Sequence, residues 1–205
     1  MSDTRQEHCV SQAQMRTLKQ KLALWLLLRL GWRLLLAPFP GPRGVLIVYP
    51  HTSNWDFPVG MLAKWCCGVH INWIGKESLF RGVCGFLFGR ILRSWGGEPV
   101  VRNVQTGASA QLAARMREAD WFWLAMSPEG TRRYQPQWRS GFYHIALQAQ
   151  APLGLGFIDY GKREIGVTDF IMLSGDREQD LAAIRAAYAG RQGLKPECAA
   201  PIDLA

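Results

Sequence analysis

Three apolar runs constrain this chain more than anything else in it: residues 45–49 (V-L-I-V-Y), 121–126 (W-F-W-L-A-M) and 153–158 (L-G-L-G-F-I). None alternates apolar with polar residues, so none turns one face to water. Each reads as a strand covered on both sides, as in a parallel sheet. Parallel neighbours need long crossovers, and helical stretches lie where those are required. They are 58–67, 79–92, 106–118 (Leu112 and Met116 four apart on one face), 141–150 and 176–188, the last with Asp176 and Gln179 spaced as a capping box. Gly82, Gly85 and Gly89 weaken the second, which Ser78 is positioned to cap. Weaker strands are expected at 70–74 and 99–101, and an outer one at 164–173. The expected fold class is α/β: a mostly parallel central sheet flanked by helices, preceded by an N-terminal amphipathic helix.

A chain of 205 residues fits one full-sized domain. Residues 1–40 read as a polar segment plus a helix over 15–37, residues 41–190 as the main domain, and 191–205 as a surface tail. The longest uncharged run of the expected helix, 22–28, falls far short of the ~20 residues that span a bilayer. Arg16, Lys19, Arg29 and Arg33 share a side with Leu22, Leu26 and Leu30, and Trp25 and Trp32 lie in the same stretch. A basic, Trp-bearing helix suits an interfacial position on an anionic membrane; the alternative is a helix packed on the domain with snorkelling arginines. Net charge is +8 and the pI is about 9.6, a balance that suits an anionic partner. No zinc-finger spacing, basic tail or RNA-binding aromatic signature accompanies it, which argues against nucleic acid. Cys9, Cys66, Cys67, Cys84 and Cys198 are odd in number and contain no C-x-x-C pair. That argues for a reducing compartment, and against a disulfide framework or a metal site. The polar first fourteen residues are not a secretory signal, so the expected location is cytoplasmic, peripheral to the inner face of the cell membrane.

Two of the buried strands lead directly into polar loops. After 45–49 comes P-H-T-S-N-W-D, with His51 and Asp56 five residues apart; after 121–126 comes S-P-E-G-T-R. Parallel strands would open both loops on one edge of the sheet, where open α/β folds place their ligands. A histidine beside a carboxylate is the minimal unit for taking a proton from a hydroxyl. The plainer alternative is that Asp56 caps the helix that Pro58 helps to start, with His51 an ordinary loop residue.

Taken in order, H-T-S-N-W-D, G-G-E-P-V-V-R, S-P-E-G-T-R and A-P-L-G-L-G resemble the four blocks of the glycerolipid acyltransferases, the lysophosphatidic acid and glycerol-3-phosphate acyltransferases with H-x4-D and E-G-T-R motifs. The resemblance implies acyl transfer from acyl-CoA or acyl carrier protein, as co-substrate rather than cofactor, to a hydroxyl of a lysophospholipid-type acceptor, 1-acylglycerol-3-phosphate being the one expected. It implies His51 as general base oriented by Asp56, and no enzyme nucleophile; no G-x-S-x-G elbow occurs. Arg102 and Arg132 are expected to grip phosphate through their guanidinium forks, with Lys76 as a further cation. Gly130 would permit close backbone approach, Glu129 would hold Arg132 or its own loop, and Thr131 would tie the turn or contact the acceptor. Val101 stands where many relatives carry an acid, and Leu155 where they carry a second proline. Both departures touch the acceptor side and leave open a non-phosphate acceptor such as a lyso-aminolipid; a non-catalytic lipid-binding protein is a separate alternative, whose expected mark, a damaged His51, Asp56 or Glu129, is absent from the sequence. Leu79, Phe80, Phe86, Leu87 and Phe88 are candidates for an acyl-chain groove.

Overall fold

The computed structural model describes residues 8–100 and 107–205, with side chains at all of these except 82–87 and 100. Seven strands form one sheet: β1 Arg33–Leu36, β2 Arg43–Tyr49, β3 Ile71–Lys76, β4 Gly97–Val100, β5 Phe122–Met126, β6 Leu153–Asp159 and β7 Glu164–Ile171. Their order is β1-β7-β6-β2-β5-β3-β4. The five strands from β6 to β4 are mutually parallel, and the β6–β7 pairing is antiparallel. Helices α1 Leu18–Arg29 and α2 Asp56–Cys66 cover one face; α4 Ala108–Glu118, α5 Gly141–Ala149 and α6 Arg177–Tyr188 cover the other, while α3 Gly82–Ser94 leads into β4.

The apolar runs explain why β2, β5 and β6 sit in the middle. Along β2, Val45 and Ile47 face the core that holds Leu124, Phe142, Leu155 and Leu181, while Leu46 faces Ile71, Trp123 and Val167. Gly44 has a specific cause: a Cβ there would lie 2.3 Å from the indole of Trp123. That ring is fully buried and donates its Nε1–H to Gly41 O at 3.0 Å.

Two expectations fail, each for a physical reason. The helix expected over 15–37 is a helix followed by a strand. Gly31, at φ +78°, donates to Leu28 O, and Trp32 donates to Leu27 O, a pair of bonds that closes the helix C-terminus. The chain then continues as β1, parallel to β7, with Arg33 paired to Glu164 at 2.6 Å. Trp32 is buried under Tyr160 rather than presented to an interface. The start of α1 also carries a capping box, Thr17 with Gln20, that fixes where the helix begins. Residues 191–205 are likewise no surface tail. Ala200 and Leu204 are buried, Trp138 N–H donates to Asp203 O at 2.7 Å, and Arg191 pairs with Glu164 at 2.9 Å and Asp159 at 3.4 Å.

Smaller shifts are local. The strand expected at 70–74 runs from Ile71 to Lys76, and Ser78 lies in a short 3-10 turn, Glu77–Leu79, while α3 starts after Arg81. Asp176 caps α6 by accepting the N–H groups of Glu178 and Gln179. Of the groove candidates, Phe80 is core, packed against Trp73, whereas Leu79 and Phe88 are exposed; Phe86 and Leu87 have side chains outside the described set.

Candidate active site

The site is built where β6, β2 and β5 end side by side. Pro50, joined to Tyr49 by a cis peptide, closes β2 and turns the chain into the His51 loop. Asp56 follows as the first residue of α2, whose N-cap is Trp55, so Asp56 does not cap that helix. Its carboxylate points back at the loop instead. Oδ2 lies 3.1 Å from His51 Nδ1 and accepts the Ser53 N–H at 2.9 Å, and Oδ1 accepts the Tyr160 hydroxyl at 2.8 Å. A negative charge in the first helical turn is favoured by the helix dipole, and three donors satisfy a carboxylate whose side chain is 0% exposed. The imidazole is 23% exposed, so one edge reaches solvent while the other rests on Asp56. An ionised Asp56 can only accept, so in the neutral ring this contact puts the proton on Nδ1 and leaves the lone pair on Nε2.

Glu129 enters from the loop after β5. Its Oε2 accepts the backbone N–H of His51 at 2.7 Å, and its Oε1 accepts the backbone N–H of Ala200 at 3.0 Å. Its carboxylate thus holds the His51 loop, and it is 1% exposed. Burial pushes the carboxyl up to about 7, with the nearby Asp56 adding to the rise, against the opposing pull of the two N–H donors and of His51.

Residues 191–205 supply the back of this loop. Thr52 Oγ1 accepts the Lys195 N–H at 3.2 Å, and Tyr49 donates its hydroxyl to Ala200 O at 2.9 Å. Burial pushes the Tyr49 hydroxyl up to about 12, which keeps it a donor. The residues on either side of His51 are therefore fastened to the end of the chain, a link that no local pattern in 191–205 announces.

The structure brings His51, Asp56 and Glu129 together. Gly130 turns at φ +65°, where a Cβ would meet Arg139 Nε at 2.7 Å, and Thr131 and the exposed Arg132 continue the same loop. Thr131 Oγ1 accepts the Arg133 N–H at 3.4 Å. Lys76 ends β3, exposed, on the edge where β2 and β5 also end. Arg102 and Val101 lie outside the described residues. Glu98, in the same sequence block, grips Arg115 through both carboxylate oxygens at 2.9 and 3.1 Å. Tyr160 and Ala200 are the site neighbours that sequence reasoning missed. Only the position of Tyr160, directly after the third apolar strand, marked it.

The arrangement can accept a proton from a hydroxyl at an exposed imidazole edge and hold the resulting imidazolium against a buried carboxylate. Comparison with known proteins gives the chain a family. The fold is shared with a solved structure, the 1-acyl-sn-glycerophosphate (LPA) acyltransferase PlsC from Thermotoga maritima, at a TM-score of 0.51 and 16% identity over 89% of this chain and 87% of that one. No curated protein matches. The family model described as Acyltransferase matches residues 36–154. That span runs from the end of β1 through the His51 loop and the Glu129 loop into β6. With more than half its length inside that span, the chain belongs to the acyltransferase family.

Proposed function

We propose that the protein transfers a fatty acyl group from a thioester, acyl-CoA or acyl carrier protein, to the hydroxyl of a lysophospholipid-type acceptor, with 1-acylglycerol-3-phosphate as the acceptor. The observation that carries this reading is the 3.1 Å pairing of a part-exposed His51 with a fully buried Asp56. Nε2 takes the proton of the acceptor hydroxyl as its oxygen attacks the thioester carbonyl. The tetrahedral intermediate collapses, the C–S bond breaks, and the imidazolium returns the proton to the departing thiolate. Asp56 stabilises the imidazolium throughout. A positioned general base contributes about 10²–10⁴-fold to rate, and the activated thioester needs no enzyme nucleophile.

In this reading Lys76, Arg102 and Arg132 bind the acceptor phosphate, Gly130 allows close approach of the backbone, Thr131 contacts the acceptor, and Glu129 acts through the loop it braces. The basic net charge of +8 supports an anionic acceptor and an anionic membrane surface. Leu18, Leu22, Trp25 and Leu28 are 83, 54, 51 and 45% exposed along the outer side of α1, interleaved with Lys21 and Arg29. That stripe is suited to an interfacial position on the inner face of the cell membrane. Among the described residues no helix is long and apolar enough to cross a membrane. The test is a purified-enzyme assay with labelled acyl-CoA, offering lysophosphatidic acid and lyso-aminolipids in parallel. Preferential acylation of lysophosphatidic acid is expected; preference for the lyso-aminolipid would overturn the phosphate assignment.

A further inference from the structure

We infer that Tyr160 is a positioning residue of this site, its hydroxyl fixing the carboxylate that orients His51. The inference rests on the acyl-transfer reading above and extends it to a residue beyond the segment that matches the family model. Three adjacent parallel strands end on one edge: β2 leads to His51, β5 to Glu129, and β6 to Tyr160, the residue after its last member Asp159. The Tyr160 hydroxyl donates to Asp56 Oδ1 at 2.8 Å while Oδ2 serves His51 Nδ1 and the Ser53 N–H. Both oxygens of Asp56 are thereby held, and the carboxylate has no exposed surface through which water can replace a lost donor. Without the hydroxyl, Oδ1 is left buried and unpaired and the carboxylate is free to turn about its terminal torsion.

The ring is itself held in place. Trp32 meets it edge-on at 4.9 Å and 82°, and the Tyr160 backbone N–H donates to Gln192 O at 2.8 Å. Burial, with the Asp56 hydrogen bond second, raises the proton affinity of the hydroxyl, so it remains a donor through the working pH range. The hydroxyl also takes a share of the carboxylate's charge, and that share is lost to the imidazolium. Among the described residues, the charged or titratable groups around the pair include Glu129 from the β5 loop, Tyr160 from the end of β6, and Arg163, whose guanidinium lies over the Trp32 ring at 5.8 Å.

The experiment compares wild type, Tyr160→Phe, Trp32→Phe and His51→Ala with lysophosphatidic acid and acyl-CoA, each checked for folding by thermal melting. Losing one hydrogen bond to a buried charge in Tyr160→Phe should lower kcat by about 10-fold or more, with acceptor KM changed less than about 2-fold. Its acid limb in kcat/KM should move to higher pH, because a carboxylate freed of that donor holds the imidazolium more tightly. Trp32→Phe loosens the packing but keeps the hydroxyl, and should retain the wild-type acid limb. A wild-type kcat or an unmoved acid limb in Tyr160→Phe, or the same shift in Trp32→Phe, overturns the inference. If His51→Ala is inactive in that same series, the general-base reading stands without Tyr160; if it turns over normally, the reading beneath both fails.

Discussion

Glu129 Oε2 accepts the backbone N–H of His51 at 2.7 Å, so His51 on one strand's loop is held by the carboxylate of the neighbouring strand's loop. A side chain that the sequence places beside Arg132 does its visible work on the opposite loop. Its other oxygen reaches Ala200, so three segments far apart in the chain (50–53, 127–131 and 193–200) meet at one buried carboxylate.

That carboxylate makes stability pH-dependent. Its folded pKa is raised from 4.5 to about 7, so between these values the folded protein binds the proton more tightly than the unfolded chain does. The stabilisation is fully present below about 4.5 and lost as pH rises through about 7, a change on the order of 3 kcal/mol. Urea denaturation of wild type and Glu129→Gln between pH 5 and 8 should show wild type losing stability relative to the variant as pH rises. A constant difference across that range would contradict the buried, proton-retaining carboxyl.

The fastening of residues 191–205 to the His51 loop predicts that a change outside the site reaches catalysis. A Cβ on Gly193 would lie 2.5 Å from Thr52 Oγ1 and 3.3 Å from Pro50 Cβ, the residues on either side of His51. Gly193→Ala should lower kcat by about 10-fold or more, since displacements of this size at a reacting group carry such costs. Gly41→Ala, where nothing lies within 4 Å, should leave it unchanged. Equal activity of the two variants would show that the end of the chain packs without positioning anything.

The outer stripe of α1 predicts vesicle binding that can be removed without touching the fold. Leu22→Ser combined with Trp25→Ser changes two residues that are 54 and 51% exposed, while Ala23, Leu24 and Leu27 keep the inner side packed. Sedimentation with anionic phospholipid vesicles should drop several-fold with little change in melting temperature. Undiminished sedimentation would assign the stripe no part in membrane contact.

The edge strand β1 has its own test at Gly166, which pairs with Leu35. A Cβ there would come within 1.7 Å of Leu35 O, leaving no room for a methyl group between the two strands. Gly166→Ala should destabilise the protein by about 3 kcal/mol in chemical denaturation; a wild-type midpoint would contradict the β1–β7 pairing.

What could be read in advance was local. The runs that became β2, β5 and β6 are apolar without a break, and polar loops follow two of them, so the parallel sheet and the common edge on which His51, Asp56 and Glu129 meet were legible from the order of runs and loops. What failed was set by distant partners. R-L-L-L at 33–36 looks helical after a Leu-rich stretch, and becomes a strand because Gly31 closes α1 and β7, some 130 residues later, offers an edge. Residues 191–205 read as a surface tail because their ordering depends on backbone bonds to Glu129, Thr52 and Trp138 rather than on their own pattern. Tyr160 carries no motif; only the ends of three strands, seen together, place its hydroxyl on Asp56.

We expect His51, set by Asp56, to take the proton from the acceptor hydroxyl. The most direct measurement is mass-spectrometric quantification of acylated product from lysophosphatidic acid and acyl-CoA, with equal amounts of folded wild type and His51→Ala. Wild type should form diacyl product, and the variant should lose about 10²–10⁴-fold of that rate with an unchanged melting temperature. Wild-type rates of product formation by His51→Ala would contradict it.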